Sequence, residues 1–354
     1  MVPTATAHHN QLAPRVVAWE STRACNYACR HCRAQAQKQA DPNQLTTQEA
    51  LNLMDQIAEF CKPVLIISGG DPLQRKDIFE VAAYATKLGI RVVMSPSGSD
   101  ITPQVIEKMK ASGVKMISIS LDGSKAEIHD SFRQVVGAFD LAMQNIAYAK
   151  AGDLPFRINT TVTKHNLEDL PQMSALAVAL GAREWDVFML VPTGRGKVEM
   201  EISPSQYEAT LQAVYEMSQS SPIPIKVTCA PLYTRIIAQH KKEGAAPHTP
   251  AGNPTAGRGC MAGNGFCFVS HVGDVFSCGF LPLAAGSIRK QGFREIYQAS
   301  VLFVELRNHD LLTGKCGACE YRVVCGGCRA RALSVNQSVL AEEPYCIYQP
   351  TNGA

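Results

Sequence analysis

The chain has 354 residues, 46% of them hydrophobic and 18% charged, and a formal net charge of +3. That length suits one large domain and a smaller one, and the near-balanced charge argues against a nucleic-acid or acidic-membrane surface. No apolar run reaches the roughly 18 residues of a membrane span, and the polar start Met1–Pro14 lacks the pattern of a secretion signal, so the expected location is the cytoplasm.

From Val16 to Val191 short β-branched runs alternate with longer amphipathic stretches, the pattern of βα units on a parallel sheet. Strands are expected at Val16 to Glu20, Val64 to Ser68, Arg91 to Ser95, Met116 to Leu121, Phe156 to Val162 and Trp185 to Val191. Helices are expected at Thr47 to Phe60, Asp77 to Leu88, Pro103 to Ala111, Val135 to Lys150 and Leu167 to Leu180, with glycines after several of their ends. Six units are too few for a full eight-stranded barrel and suit a partial TIM-like (β/α)6 barrel. Beyond a Gly-, Pro- and Ala-rich linker at 243–259, Phe266 to His271 and Val275 to Cys278 read as a hairpin, followed by a helix from Phe293 to Leu306. The organisation expected is an N-terminal tail (1–14), a barrel (15–242), the linker and a cysteine-rich domain (260–354).

Thirteen cysteines are many for a reducing compartment and point to metal or catalytic duty. Three form Cys25-Asn-Tyr-Ala-Cys29-Arg-His-Cys32, directly after the first strand, and eight fall between Cys260 and Cys346. Cys61 and Cys229 stand apart and read as buried thiols. Three thiols at this spacing can wrap three corners of a four-iron cluster and leave one iron open. Zinc is the alternative, but a closed structural zinc site wants four ligands.

The triplet resembles the signature of the radical S-adenosylmethionine (SAM) superfamily, with His31 at the aromatic position before the last cysteine. The resemblance implies that the open iron chelates SAM and that the reduced cluster cleaves it to a 5'-deoxyadenosyl radical, so the hard chemistry belongs to the cofactors. Ser68-Gly69-Gly70-Asp71-Pro72 is similar to the family's GGEP turn, with Asp in place of Glu. The same resemblance puts Tyr27, Ser97, Ser120, Asp122, Arg133 and Asn159 around SAM, Asn159 being open to SAM or substrate and Arg133 equally readable as a surface arginine.

The later cysteines, Cys260, Cys267, Gly273-x4-Cys278, Cys316-x2-Cys319-x5-Cys325-x2-Cys328 and Cys346, look like the SPASM extension of that superfamily, apart from two residues rather than three before Cys328. The resemblance implies two auxiliary four-iron clusters, one on Cys260, Cys267, Cys278 and Cys328, the other on Cys316, Cys319, Cys325 and Cys346. A zinc knuckle on the four central thiols is the alternative.

Arg15-Val-Val-Ala-Trp-Glu20, Val191-Pro-Thr-Gly-Arg-Gly-Lys197 and Cys325-Gly-Gly-Cys-Arg-Ala-Arg331 resemble the haem-biosynthesis branch of SPASM enzymes. That implies oxidative decarboxylation of two propionates of iron-coproporphyrin III to vinyl groups, with a low-potential electron donor and an electron acceptor as partners. Related enzymes of sirohaem and haem d1 processing share much of the pattern. A peptide-modifying SPASM enzyme is a further reading; it predicts a recognition domain before the barrel, where only about 20 residues precede Cys25. A non-catalytic cluster or zinc scaffold would have no use for the SAM-lining residues. A substrate with several carboxylates needs fixed cations, and Arg195, Lys197 and Arg258 are the first candidates, with Arg329 and Arg331 next. His271 is a weaker suggestion as a contact to an iron porphyrin.

Overall fold

The computed structural model describes residues 12–244 and 259–351. Seven parallel strands run β1 (Val16–Glu20), β2 (Val64–Ser68), β3 (Arg91–Met94), β4 (Ile117–Ser120), β5 (Phe156–Val162), β6 (Trp185–Met189) and β7 (Ile225–Thr228), side by side in chain order. The six expected strands are all present. The seventh, Ile-Lys-Val-Thr beside two prolines, is a short edge strand whose mixed polarity gives no alternation to read. Helices bury the sheet on one side, and Val17, Trp19, Leu65, Ile67, Leu53 and Ile57 are completely enclosed there.

Local chemistry sets the element ends. Thr46 and Glu49 form a reciprocal capping box on the helix Thr47–Phe60, with Thr46 Oγ1 accepting from Glu49 N–H at 3.3 Å and Glu49 Oε2 from Thr46 N–H at 2.8 Å. The helix expected at Val135 to Lys150 is present as Ala138–Ala151, starting after Gly137 in left-handed backbone, and a further helix that sequence reading did not expect, Ala126–Arg133, ends before it at left-handed Gln134. The helix expected from Phe293 breaks in two at extended Ser300.

The cysteine-rich segment contributes β8 (Phe266–Val269), β9 (Asp274–Phe276) and β10 (Ala284–Ser287). β8 lies parallel to β1, pairing Val16 with Phe266 and Val17 with Cys267, and β9 and β10 follow antiparallel, so one ten-stranded sheet runs β10-β9-β8-β1 and on to β7. Most of the expected linker, with Arg258, lies outside the described residues. Among the described residues no helix is long and apolar enough to cross a membrane.

Candidate active site

The loop carrying Cys25, Cys29 and Cys32 leaves the C-terminal end of β1, where parallel α/β barrels gather their sites. It is pinned by backbone bonds from Cys25 N–H to Gln37 O (2.8 Å), Arg30 N–H to Phe132 O (3.3 Å) and Arg195 N–H to Cys32 O (2.9 Å). Each sulfur already has a donor aimed at it: Tyr27 N–H at Cys25 (3.3 Å), Ala36 N–H at Cys32 (3.4 Å) and Arg133 Nη1 at Cys29 (3.7 Å). Such donors are what cluster-bound thiolates use to tune their iron. Burial pushes the Cys25 thiol up to about 11, so it ionises at neutral pH only with a cation's charge beside it. His31 is half-buried and stacks flat on Phe132, 4.4 Å between centroids and 3° between planes; desolvation of its ring holds its pKa near 4.

Gly69 and Gly70 are required by close approach. A Cβ on Gly69 would stand 2.4 Å from Thr22 O, and one on Gly70 2.4 Å from Ala24 O. The turn therefore seats against the stem of the cysteine loop, with Gly70 N–H donating to Thr22 O and Asp71 N–H to Ala24 O, both 2.7 Å. Asp71, the departure from Glu, turns back to cap its own 3-10 turn, accepting from Leu73 N–H at 3.0 Å, from Ser99 at 3.2 Å and from Ser97. Burial raises its pKa.

Next to this turn lies a cavity of about 300 Å³ whose walls include Tyr27, Ser97, Ser120, His129, Arg133 and Asn145. Arg133 is buried behind it and pairs with Asp122 at 2.5 Å. Burial alone would raise the Asp122 carboxyl, yet the guanidinium holds it below the usual carboxylate range. Asp122 Oδ1 also accepts from Thr161 N–H at 2.7 Å, and its own N–H donates to His129 Nδ1 at 3.0 Å. His129, not singled out by sequence reading, is held near pKa 4 by burial and is thus a neutral acceptor. Asn159 stands beside Ser120 in the β4–β5 register. Buried polar atoms here that lack a hydrogen-bond partner include Arg133 Nε, Asn145 Oδ1, Asn159 Oδ1 and His31 Nδ1. Thiols with preset donors beside a polar cavity fit an iron–sulfur cluster and a zwitterionic cofactor.

The expected substrate cations fare differently. Arg195 is tied to the cysteine loop, its Nε donating to Cys29 O and its Nη1 to Ala36 O, both 2.9 Å, while its buried Nη2 has no hydrogen-bond partner. Gly194, at φ +67°, brings it there by an approach in which a Cβ would meet Arg33 O at 2.3 Å. Lys197 is exposed at the start of the turn Val198–Met200. Arg331 is enclosed between Glu201 (3.3 Å) and Glu343 (3.5 Å) and donates to Leu190 O (2.7 Å), while Arg329 ties down Val339 O and Ala341 O. His271 is buried and bridges Glu20 (2.8 Å) and Asp41 (3.1 Å). Backbone carbonyls and buried carboxylates thus engage Arg329, Arg331 and His271, and engage Arg195 through two of its three nitrogens.

Cys316, Cys319, Cys325 and Cys346 line one cavity of about 390 Å³, with Arg235 and Tyr348 in its wall. Tyr321 N–H points at Cys319 Sγ (3.4 Å) and Glu343 N–H at Cys316 Sγ (3.3 Å). Among the described residues no three His, Cys, Asp or Glu side chains converge as tightly as a single ion requires; these four thiols surround a space instead. Cys260 sits beside them, its N–H donating to Cys325 O at 3.0 Å. Cys278 carries a donor from Phe280 N–H (3.4 Å) and neighbours Cys260 and Cys328. Cys267 does not join that group. It is enclosed in β8 on the side of the sheet that faces Cys61 and Arg307, whereas its neighbour Phe268 faces Arg33, 4.4 Å away. Successive side chains of a strand point to opposite faces, so the sheet separates Cys267 from Cys278.

Three loop thiols, a cofactor cavity at the strand ends and further thiol groups beyond them define a class, and the chain belongs to the radical SAM superfamily. Residues 19–177 match the Radical SAM superfamily, and residues 260–320 match SPASM, an iron-sulfur cluster-binding domain. The protein is thus a SAM-dependent enzyme that carries iron–sulfur clusters. Within the class it is 49% identical over 340 residues to the AdoMet-dependent heme synthase of Methanosarcina barkeri, covering 96% of this chain and 97% of that one. It is 46% identical over 340 residues to the AdoMet-dependent heme synthase of Nitratidesulfovibrio vulgaris, covering 95% and 93%. Streptococcus suis SuiB bound to S-adenosylmethionine shares the fold, with a TM-score of 0.74 over 95% of this chain and 78% of that chain at 16% identity.

Proposed function

We propose that this chain oxidatively decarboxylates two propionate side chains of iron-coproporphyrin III to vinyl groups, giving haem b. The observation that carries the reading is identity of nearly one half, end to end, with relatives named for haem synthesis. When bound, SAM and its cluster supply a 5'-deoxyadenosyl radical able to take a hydrogen from an unactivated carbon. Cys25, Cys29 and Cys32 hold that cluster, and the donors from Tyr27, Ala36 and Arg133 stabilise the thiolate charge. Gly69, Gly70 and Asp71 fix the turn that meets the SAM amino group, and Ser97, Ser120, Asn159 and the Asp122–Arg133 pair hold its ribose and carboxylate, the free Arg133 Nε being the carboxylate donor. Lys197, the unpaired cation of the loop after β6, is the propionate contact, with Arg258 as a second.

Each propionate gives up carbon dioxide, a hydrogen and one further electron. The thiols of the cysteine-rich segment would hold two auxiliary clusters able to supply a first acceptor for that electron, with an external low-potential donor and a final acceptor as partners in the cytoplasm. The test is anaerobic incubation of the reconstituted protein with reductant, SAM and iron-coproporphyrin III, followed by mass analysis. The expected product has lost one carbon dioxide and two hydrogens from each of two side chains. Deoxyadenosine formed without that mass change would refute the assignment and leave the radical chemistry standing.

A further inference from the structure

Cys267 lies on the wrong face of the sheet, which leaves Cys260, Cys278 and Cys328 as three thiols where a fully ligated four-iron cluster takes four. A fourth comes from outside the cysteine-rich segment. Cys229 is the residue that follows β7, and it packs with Cys278 on the small apolar cluster formed by Val191, Leu281, Cys328 and Ala330. Cys278 and Cys328 are also its foremost ionisable neighbours, and Cys260 is in turn a neighbour of both. Cys229 and Cys260 are thus both neighbours of Cys278 and Cys328, three of these thiols coming from the segment and one from the barrel.

The surroundings match such use. Cys229 takes left-handed backbone at φ +62°, which costs an ordinary residue about 1–2 kcal/mol and persists where neighbours fix it. Tyr207 supplies part of that fixing, its hydroxyl donating to Cys229 O at 3.3 Å. The buried guanidinium of Arg331 bears on both Cys229 and Cys328 and sets a permanent positive charge beside the thiols, as an anionic cluster requires. Cys267 has Cys61 and Arg307 as its ionisable neighbours and sits inside the main apolar core.

Given the reading that this segment holds two auxiliary clusters, we infer that the one nearer the barrel is ligated by Cys229, Cys260, Cys278 and Cys328, and that Cys267 is a core thiol. The ligand set then spans both parts of the chain. The cluster would lie against Val191, the start of the loop whose Gly194 and Arg195 grip the SAM-cluster loop.

The experiment compares anaerobically reconstituted wild type with Cys229→Ser and Cys267→Ala, reading iron content and the electron paramagnetic resonance of the reduced proteins. Wild type should hold about twelve irons, four per cluster. Cys267→Ala should keep them all with unchanged spectra. Cys229→Ser should lose about a third of the iron, or keep it with one auxiliary signal shifted, while the SAM-responsive signal and the second auxiliary signal persist and report a folded chain. Should Cys229→Ser lose every signal, Cys229→Asp, which retains an anionic ligand, takes its place, and a shifted auxiliary signal is again expected. Loss of a cluster in Cys267→Ala, or a Cys229 variant with wild-type iron and spectra, would overturn the inference. So would a wild type with about eight irons, a result that leaves the haem-synthase reading to its own product assay.

Discussion

Glu20 offers a worked test of how the cysteine loop is held. Its carboxylate is fully enclosed at the end of β1 and joins three parts of the chain: Arg23 at 3.2 Å, Arg33 of the loop at 2.8 Å and His271 of the β8–β9 turn at 2.8 Å. Burial by itself would raise its pKa, but His271, Arg33 and Arg23 prevail and bring it from an ordinary 4.5 to about 2. A depressed carboxylate stabilises the fold above its unfolded value, and the contribution fades as pH falls from there toward the folded value. The difference is worth about 3 kcal/mol at neutral pH. Glu20→Gln keeps the shape and removes the charge, so it should cost on the order of 3 kcal/mol at pH 7. At about pH 4 the gap to wild type should have narrowed by roughly 1 kcal/mol, because the unfolded carboxyl is by then mostly protonated. Urea unfolding followed through the two tryptophans, Trp19 and Trp185, both buried, measures the gap. A gap that stays constant between pH 7 and 4, or is below about 0.5 kcal/mol throughout, would refute this account, since surface pairs deliver no more than that.

Arg195→Ala removes two hydrogen bonds from a charged donor, each worth about 1.5–3 kcal/mol, and should make the SAM-binding cluster labile, read as loss of about four irons and of the SAM-responsive resonance signal. An intact cluster with only a raised KM for the porphyrin would instead return Arg195 to substrate binding. Arg331→Met leaves Glu201 and Glu343 buried without their counterion, a change that costs about 3–5 kcal/mol; soluble yield and Tm should both fall sharply, and an unchanged Tm would contradict the pairing.

Much of this was legible because apolar period and chemistry agreed. β1, β2 and β5 fall on their expected residues, and the functional loops follow the strand ends. Where sequence and structure give different pictures the cause is shared: sequence reveals a residue's type and hides its partner. Arg195 looks like a free cation until carbonyls of Cys29 and Ala36, more than 150 positions away, are found on it. Cys267 has the spacing of a ligand, and it is strand alternation, Phe266 and Phe268 on one side and Cys267 on the other, that sets it apart from Cys278. For Cys229 no local spacing carries a signal, because β7 is what delivers it to the other thiols.

The shared sheet also bears on how such proteins can be cut and recombined. Since β8 covers the outer side of β1, a fragment ending before the cysteine-rich segment would expose a row of unpaired backbone groups along Val16–Glu20, a template for pairing with other chains. Exchanging the C-terminal part between relatives is therefore not like swapping a bead on a string: a graft must bring a strand that fits this edge, or the recipient will aggregate before any cluster can be loaded.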